Sequence, residues 1–430
     1  MREEKNFFHF FLSSPESSIP KACQDIASTK AAYRFFSNKR IKPDLIMEAH
    51  QLKILEKVSD SKVVLKIQDT TELNYNSQKS IKGLGYLDNS KCIGLKVHST
   101  LVVSEVGLII SQKVWSRDKV GTKHTRHEKP IEEKESYKWL ESLKETESMF
   151  SDKLQIMIAD RESDIYDLFT MPRRKNSHFL IRASQNRLLK DIDKKLFTAL
   201  EKADAKGNLV IEVGRKKGQD SRLANLTVKY ERLSIKAPKN TPKEIKDVSL
   251  NAILVEEREF SDGIEPIKWI LLTTLEIASL EDALKYVRWY SYRWLIERFH
   301  FVLKSGCQIE KLQLGSSEQI QKALAMYSIM SSIILFITYK ARIEPDSSAE
   351  EIFTKKELKV LYLLTHKKEY TSKNTITFKD SILYIAKLGG FLARKSDGNP
   401  GLKTIWLGYR KFYDIIQGVN LIKHFKYINT

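Results

Sequence analysis

The chain has 430 residues, 42% of them hydrophobic, and carries 73 Lys and Arg against 54 Asp and Glu, a net charge of +19. That balance excludes a fibrous chain and a chain without a core, and it points to a polyanionic partner, of which nucleic acid is the first candidate. The cations are spread along the chain rather than gathered in a tail, so the charge is expected on a folded surface. Cys23, Cys92 and Cys307 lie far apart with neither zinc-ligand nor disulfide spacing, which suits a reducing cytoplasm.

In chain order, Met1 to Lys5 leads into a short apolar run, Phe7 to Leu12, that lacks the length of a signal-peptide core. Ile19 to about His50 reads as helical and basic. Ala31-Ala-Tyr33-Arg34-Phe-Phe36 and Lys39-Arg40 mix aromatics with cations as a DNA-facing element does, although a helix that buries its aromatics and solvates its cations has the same pattern. Val63 to Ile67 is a β-branched strand ending at Gln68-Asp69-Thr70-Thr71, and strands follow at Gly94 to Val103 and Gly107 to Trp115. Lys134 to Phe150 is helical, Leu154 to Ala159 is a buried strand ending at Asp160, and Ile165 to Phe169 starts a helix. Three strands, helix, strand, helix is the order of an α/β, ribonuclease H-like core, whose first and fourth strands lie side by side.

Between about Leu209 and Thr274 the pattern turns β-rich, with Pro- and Lys-rich turns, and is expected to form an inserted β subdomain. Tyr290 to Lys304 then reads as one helix. The uncharged run Ala323 to Tyr339 is slightly short for a membrane span and contains Ser328, Ser331, Ser332 and Thr338, so it is expected as a buried core helix, with no membrane partner. A helical C-terminal region contains Gly389-Gly390 and a turn at Asp397 to Gly401. The expected division is an N-terminal helical DNA-binding segment over 1–55, a catalytic domain over 56–345 with its β insertion at about 205–275, and a helical region over 350–430.

The chemistry concentrates in three acids. Asp69 and Asp160 each end an apolar strand, and adjacent strands bring both carboxylates within reach of one cation, although an acid at a strand end is often only a turn former or cap. As a helix at about 100° per residue, Tyr290 to Lys304 gathers Tyr290, Arg293, Glu297 and Lys304 within about 60° while Ile296, Phe299 and Leu303 face inward. One carboxylate among two cations and a phenol suits a metal-bound phosphate backbone, and a solvated helix with an i,i+4 ion pair is the plainer alternative. Two Asp and one Glu can hold a pair of metal ions about 4 Å apart for phosphodiester chemistry.

Tyr290-x2-Arg293-x3-Glu297-x6-Lys304, with Gln68-Asp69-Thr-Thr and Ala159-Asp160-Arg161-Glu162-x-Asp164, resembles the DDE transposases of the insertion-sequence-four family. The likeness continues in Ala32-Tyr33-Arg34-Phe35, Glu133-Lys134-Glu135-Ser136, Lys268-Trp269-Ile-Leu-Leu-Thr273 and Leu388-Gly389-Gly390-Phe391. It implies a cut-and-paste transposase of a bacterial cytoplasm, acting at the nucleoid, that uses Mg²⁺ or Mn²⁺, two ions per site, to cleave transposon ends, form a hairpin and join the end to target DNA. It implies that Asp69, Asp160 and Glu297 are the metal ligands, that Tyr290, Arg293 and Lys304 hold end phosphates, and that Trp269 stacks a flipped base. It further implies a homodimer, formed through about Glu350 to Thr430, that synapses two double-stranded ends.

Relatives carry a longer basic segment before Ser17-Ser-Ile19-Pro20, where this chain has only the apolar Met1 to Leu12. The expectation that follows is weak binding to specific ends. Two alternatives stand beside the active enzyme: a shortened, non-transposing inhibitor that dimerises with a full-length partner, and a nuclease or resolvase of the same fold.

Overall fold

A computed structural model of the chain describes residues 19–428 apart from 24, 104–106, 118–128, 191–193, 214–221, 240–245, 261–262, 372–374 and 395–396. The expectation of a shortened N-terminus falls on 1–18, outside the described residues.

The described chain begins with α1 (Ile19–Cys23), α2 (Ile26–Ser37) and α3 (Pro43–Lys57). Asp25 caps α2 by accepting from the Ser28 N–H at 2.8 Å, and Pro43 opens α3, where its missing N–H takes nothing from the helix. On α2 the aromatic and basic mixture divides: Ala32 and Phe36 are buried and Tyr33 is 41% exposed. The end of α2 is fastened to the core by Lys322, a buried lysine whose Nζ donates to the carbonyls of Phe36 at 2.8 Å and Asn38 at 2.9 Å.

The next elements are β1 (Val63–Asn74), β2 (Gly85–Tyr86), β3 (Ile93–Val103), β4 (Gly107–Trp115), α4 (Tyr137–Glu147), β5 (Leu154–Ala159), α5 (Tyr166–Thr170) and β6 (Ser177–Arg182). They are followed by α6 (Leu196–Lys202), β7 (Gly207–Val213), β8 (Arg222–Ile235), β9 (Val248–Glu257) and β10 (Lys268–Thr273). The strands form one ten-stranded sheet in the order β2-β3-β1-β5-β6-β10-β9-β8-β7, with β4 also paired to β3. The expected neighbours β1 and β5 are parallel and adjacent. The β-rich insertion is present and continues this same sheet, because β10 runs antiparallel to β6 with Leu271 opposite Arg182.

One strand is longer than its apolar run. β1 does not end at Gln68 but pairs with β3 from Leu65 opposite Val103 to Asn74 opposite Gly94, so Asp69 lies in mid-strand. Backbone pairing with β3 carries the polar half of β1, which side-chain hydrophobicity alone does not mark. Asp69 instead lies just beyond the end of the β1–β5 ladder, whose last pair is Ile67 opposite Ile158.

Alternation along the strands gives the sheet two buried faces. Leu65, Ile67, Ile156, Ile158, Leu180 and Leu271 belong to one core, while Met157, Ala159, Phe179, Ile181, Ile270 and Leu272 belong to the other, which includes Trp139 of α4. Against the first face pack α7 (Leu280–Ser291), α8 (Trp294–Phe301) and α9 (Ser317–Ile343), and α10 (Lys355–His366), α11 (Phe378–Leu388) and α12 (Leu402–Ile428) follow. The apolar run read as a core helix is one: α9 is the single helix among the described residues long and apolar enough to cross a membrane, and 89% of its apolar window is buried inside the protein.

The stretch expected as one helix from Tyr290 to Lys304 is broken twice. α7 ends at Ser291, α8 starts at Trp294 after a tight turn, and Val302–Gly306 is a wider π turn. The apolar side is as expected, with Ile296, Phe299 and Leu303 fully buried.

Candidate active site

The two aspartates come together through strand register. Ile67 pairs with Ile158 in the parallel ladder, so two residues further along each strand Asp69 and Asp160 stand at the same level. The next ladder extends the row: Ala159 pairs with Ile181 on β6, which places Arg182 beside Asp160. By alternation these three continue the face of Ile67, Ile158 and Leu180, the face on which α7 and α8 pack.

Burial and charge both act on Asp69. Its carboxyl is pushed up to about 7, first by loss of water and then by the negative charge of Asp160, with a smaller push from Glu297, while the Thr70 N–H and Arg293 pull the other way. One oxygen of Asp69 accepts from the Thr70 N–H at 2.9 Å. Asp160 caps the short turn Arg161–Ser163, its Oδ1 accepting from the Glu162 N–H at 3.0 Å. Each carboxylate thus has one oxygen fixed by backbone.

Glu297 lies in the first turn of α8 with its side chain 55% exposed, and its carboxylate takes a hydrogen bond from Arg293 Nη2 at 2.5 Å. Among the described residues no three His, Cys, Asp or Glu side chains are gathered closely enough to hold one ion between them. Glu297 is bonded to Arg293 instead. The donor chemistry nevertheless fits a divalent ion, since three carboxylates are hard oxygen donors, and the carboxyl of Asp69, raised first by burial and then by the charge of Asp160, stands where a cation would balance negative charge. The donor set therefore suits a divalent ion, with Glu297 held by Arg293 in this structure.

The remaining sequence-predicted residues divide. Arg293 is held near Tyr290, Glu297 and Asp69, whose combined pull raises its guanidinium against the effect of burial. Tyr290 is not on a solvated stripe: it is buried, burial pushes its hydroxyl up to about 12, and its ring meets Trp269 edge-on with centroids 5.4 Å apart. The cause is the break after Ser291, which leaves Tyr290 on the inward side of α7. Trp269 stands two residues before Leu271 on β10, on the same sheet face, partly buried against the core. Lys304 does not join the others. Its Nζ donates to the Glu72 carbonyl at 2.7 Å and lies 3.6 Å from Glu310, three residues along β1 from Asp69, because the π turn rotates it off the helical stripe.

Arg182 was not legible as a site residue. A lone Arg closing a strand has the pattern of a solvated end, and only the register reveals it. Its Nη2 donates to the Lys268 carbonyl at 2.9 Å, beside Trp269, and burial lowers its guanidinium against the pull of Tyr290 and Asp160.

Comparison with known families agrees with this geometry. Residues 64–333 match the family described as "Transposase DDE domain", residues 9–41 match "Transposase DNA-binding", and residues 331–428 match "Transposase Tn5 dimerisation domain". The DNA-binding and dimerisation matches give the chain DNA as a partner and a dimeric assembly. They favour the transposase over the inhibitor and nuclease alternatives, because all three parts are present. With the catalytic match alone covering well over half of its length, this chain belongs to the DDE transposases, metal-dependent enzymes that cleave DNA and transfer its strands.

Proposed function

We propose that Asp69, Asp160 and Glu297 are the metal ligands of a cut-and-paste transposase, and that they hold Mg²⁺ or Mn²⁺, two ions per site. The observation that supports this reading is the row formed by Asp69 and Asp160 on neighbouring parallel strands, with Asp69 under the charge of both other acids. When bound, such ions activate the attacking oxygen and stabilise the leaving one in an in-line displacement. The chain's own residues supply the rest. Arg293 and Arg182 grip the scissile strand's phosphates, Tyr290 presents its hydroxyl between them, and Trp269 offers an aromatic edge beside them for an extruded base. Lys304 serves as a phosphate contact further along β1 once its Nζ leaves the Glu72 carbonyl.

In this reading residues 1–55 carry end recognition, 56–345 catalysis and 350–430 dimerisation, and the dimer synapses two double-stranded ends before joining them to target DNA in the bacterial cytoplasm. Water cleaves one strand, the freed 3′ hydroxyl attacks the phosphodiester of the opposite strand with the flanking DNA's 3′ oxygen as leaving group to give a hairpin, and a second water opens it. The test is cleavage of end-labelled DNA from the element's own terminus with Mg²⁺. A hairpin product that disappears in Glu297→Gln is the expected result. Cleavage at the normal rate by Glu297→Gln would overturn the triad, and nicking without any hairpin would overturn the cut-and-paste sequence.

A further inference from the structure

Asp69 and Asp160 lie on one face of the sheet, and the polar groups that brace them lie on the other. His98, fully buried on β3, meets both neighbours of Asp69, with Thr70 Oγ1 at 3.0 Å from its Nδ1 and Gln68 Oε1 at 3.2 Å from its Nε2. The His98 ring packs edge-on against Trp139 of α4 at 4.5 Å. One residue before Trp139 is Lys138, only 4% exposed, whose Nζ sits 5.4 Å from the Trp115 ring and 5.5 Å from the Trp139 ring. Among the described residues that ammonium has one carboxylate partner, Glu162, at 2.7 Å. Glu162 is the residue whose N–H donates to Asp160 Oδ1.

We propose that Lys138 is a positioning residue for Asp160, acting through Glu162. A buried ammonium is costly unless paired, and this one lies close to two indole rings, so it is a fixed point rather than a mobile surface charge. Its partner Glu162 stands in the turn that Asp160 caps. Holding the Glu162 side chain fixes the Glu162 N–H, and that N–H fixes Asp160 Oδ1, leaving the other oxygen aimed at the row it shares with Asp69. The inference rests on the reading of Asp160 as a metal ligand.

The two ideas separate in one set of Mn²⁺ titrations of the full chain, followed by loss of the free-ion electron paramagnetic resonance signal, alongside DNA cleavage and gel-shift assays. Partners behind metal ligands change metal affinity by about 10–100-fold. Lys138→Met and Glu162→Gln are each expected to weaken Mn²⁺ binding at least about tenfold, the double variant no more than either, with DNA affinity within about twofold of the parent. The sign is diagnostic. Removing a cation near a metal site by electrostatics alone would tighten Mn²⁺ binding, so weaker binding in Lys138→Met reports lost positioning. Unchanged or tighter binding in Lys138→Met, or additive losses in the double variant, overturn the proposal. If Lys138→Met fails to fold, Glu162→Gln, altered on a half-exposed side chain, decides: parent-like Mn²⁺ binding overturns it. Asp160→Asn serves as the reference, and parent-like Mn²⁺ binding there removes the ligand reading itself, and the positioning role with it.

Discussion

The carboxylate of Glu297 is bonded to the guanidinium of Arg293, one helical turn before it, rather than turned toward Asp69 and Asp160. In the proposed site the same guanidinium, at the N-cap of α8, is a phosphate ligand. On that proposal a DNA phosphate that took Arg293 would free Glu297, so arrival of the backbone and completion of the acid cluster would be one exchange. Arg293→Ala is therefore expected to move two affinities in opposite directions, with tighter Mn²⁺ binding by the DNA-free protein and weaker binding of DNA. Calorimetric titration with Mn²⁺ and a gel shift read the two. Loss of both together would mean that Arg293 only supports the fold.

Asp69→Asn, Asp160→Asn and Glu297→Gln should each reduce strand cleavage at least about 10³-fold, since groups that act as a unit lose most of the activity together. DNA affinity should stay within a few-fold, because binding rests on many separate cation contacts, and it should weaken steeply with salt, with a slope of about −0.9 per neutralised phosphate. Single-turnover cleavage and binding at two salt concentrations check both.

The raised carboxyl of Asp69 has a stability consequence in metal-free protein. Its folded value, about 7, lies above the ordinary 3.8, so its favourable contribution is complete below about 4 and is lost as pH rises through about 7. Each unit is worth about 1.4 kcal/mol, which makes the whole effect a few kcal/mol at most. In chelator-treated protein, Asp69→Asn should be stabilising, by an amount that grows from pH 4 to pH 7 and then levels off. Thermal melts across that range test it. A destabilising Asp69→Asn at pH 8 would show that the Asp69 carboxylate bears neither the burial cost nor the neighbouring charge that raise it.

Trp269→Ala should spare the first nick and slow hairpin formation, because a stacking platform worth about 1–3 kcal/mol per base matters only once a base leaves the helix. The edge-on contact with Tyr290 complicates that variant. Trp269→Phe should keep the packing and recover most of the hairpin rate, and equal loss at both steps in both variants would mark Trp269 as core alone.

Lys322→Met removes the donor shared by the Phe36 and Asn38 carbonyls and should destabilise the fold by about 1–3 kcal/mol. The loss should concentrate in α2, read as faster amide exchange over Ile26–Ser37 with the sheet unchanged.

What could be read from the chain alone follows from what side chains record. Ile67 and Ile158 mark two buried strands, because apolar runs report burial directly, and the pairing of those strands brings the acids two residues beyond each to one level. Asp69 reads as a strand end because the residues after Ile67 are polar up to the lone Leu73, and main-chain pairing with β3 carries the strand through them to Asn74. The stripe over Tyr290 to Lys304 assumed a uniform helical period. The turn at Tyr292 and Arg293 and the wide turn at Val302–Gly306 depend on packing between α7, α8 and the sheet, so Tyr290 went inward and Lys304 went to Glu72. Arg182 required the register of three strands, which no local pattern contains.

The match to the catalytic family ends at residue 333 and the match to the dimerisation family begins at 331, and both limits fall inside α9, Ser317–Ile343. Near its start the same helix carries Lys322, which anchors the end of α2. Recognition, chemistry and assembly are thus mounted on one axle about 40 Å long at 1.5 Å per residue. Severing the chain at the family boundary would lay open a long, apolar and mostly buried helix on both halves, so fragments for engineering are better cut in the turn after Ile343 than where homology divides them.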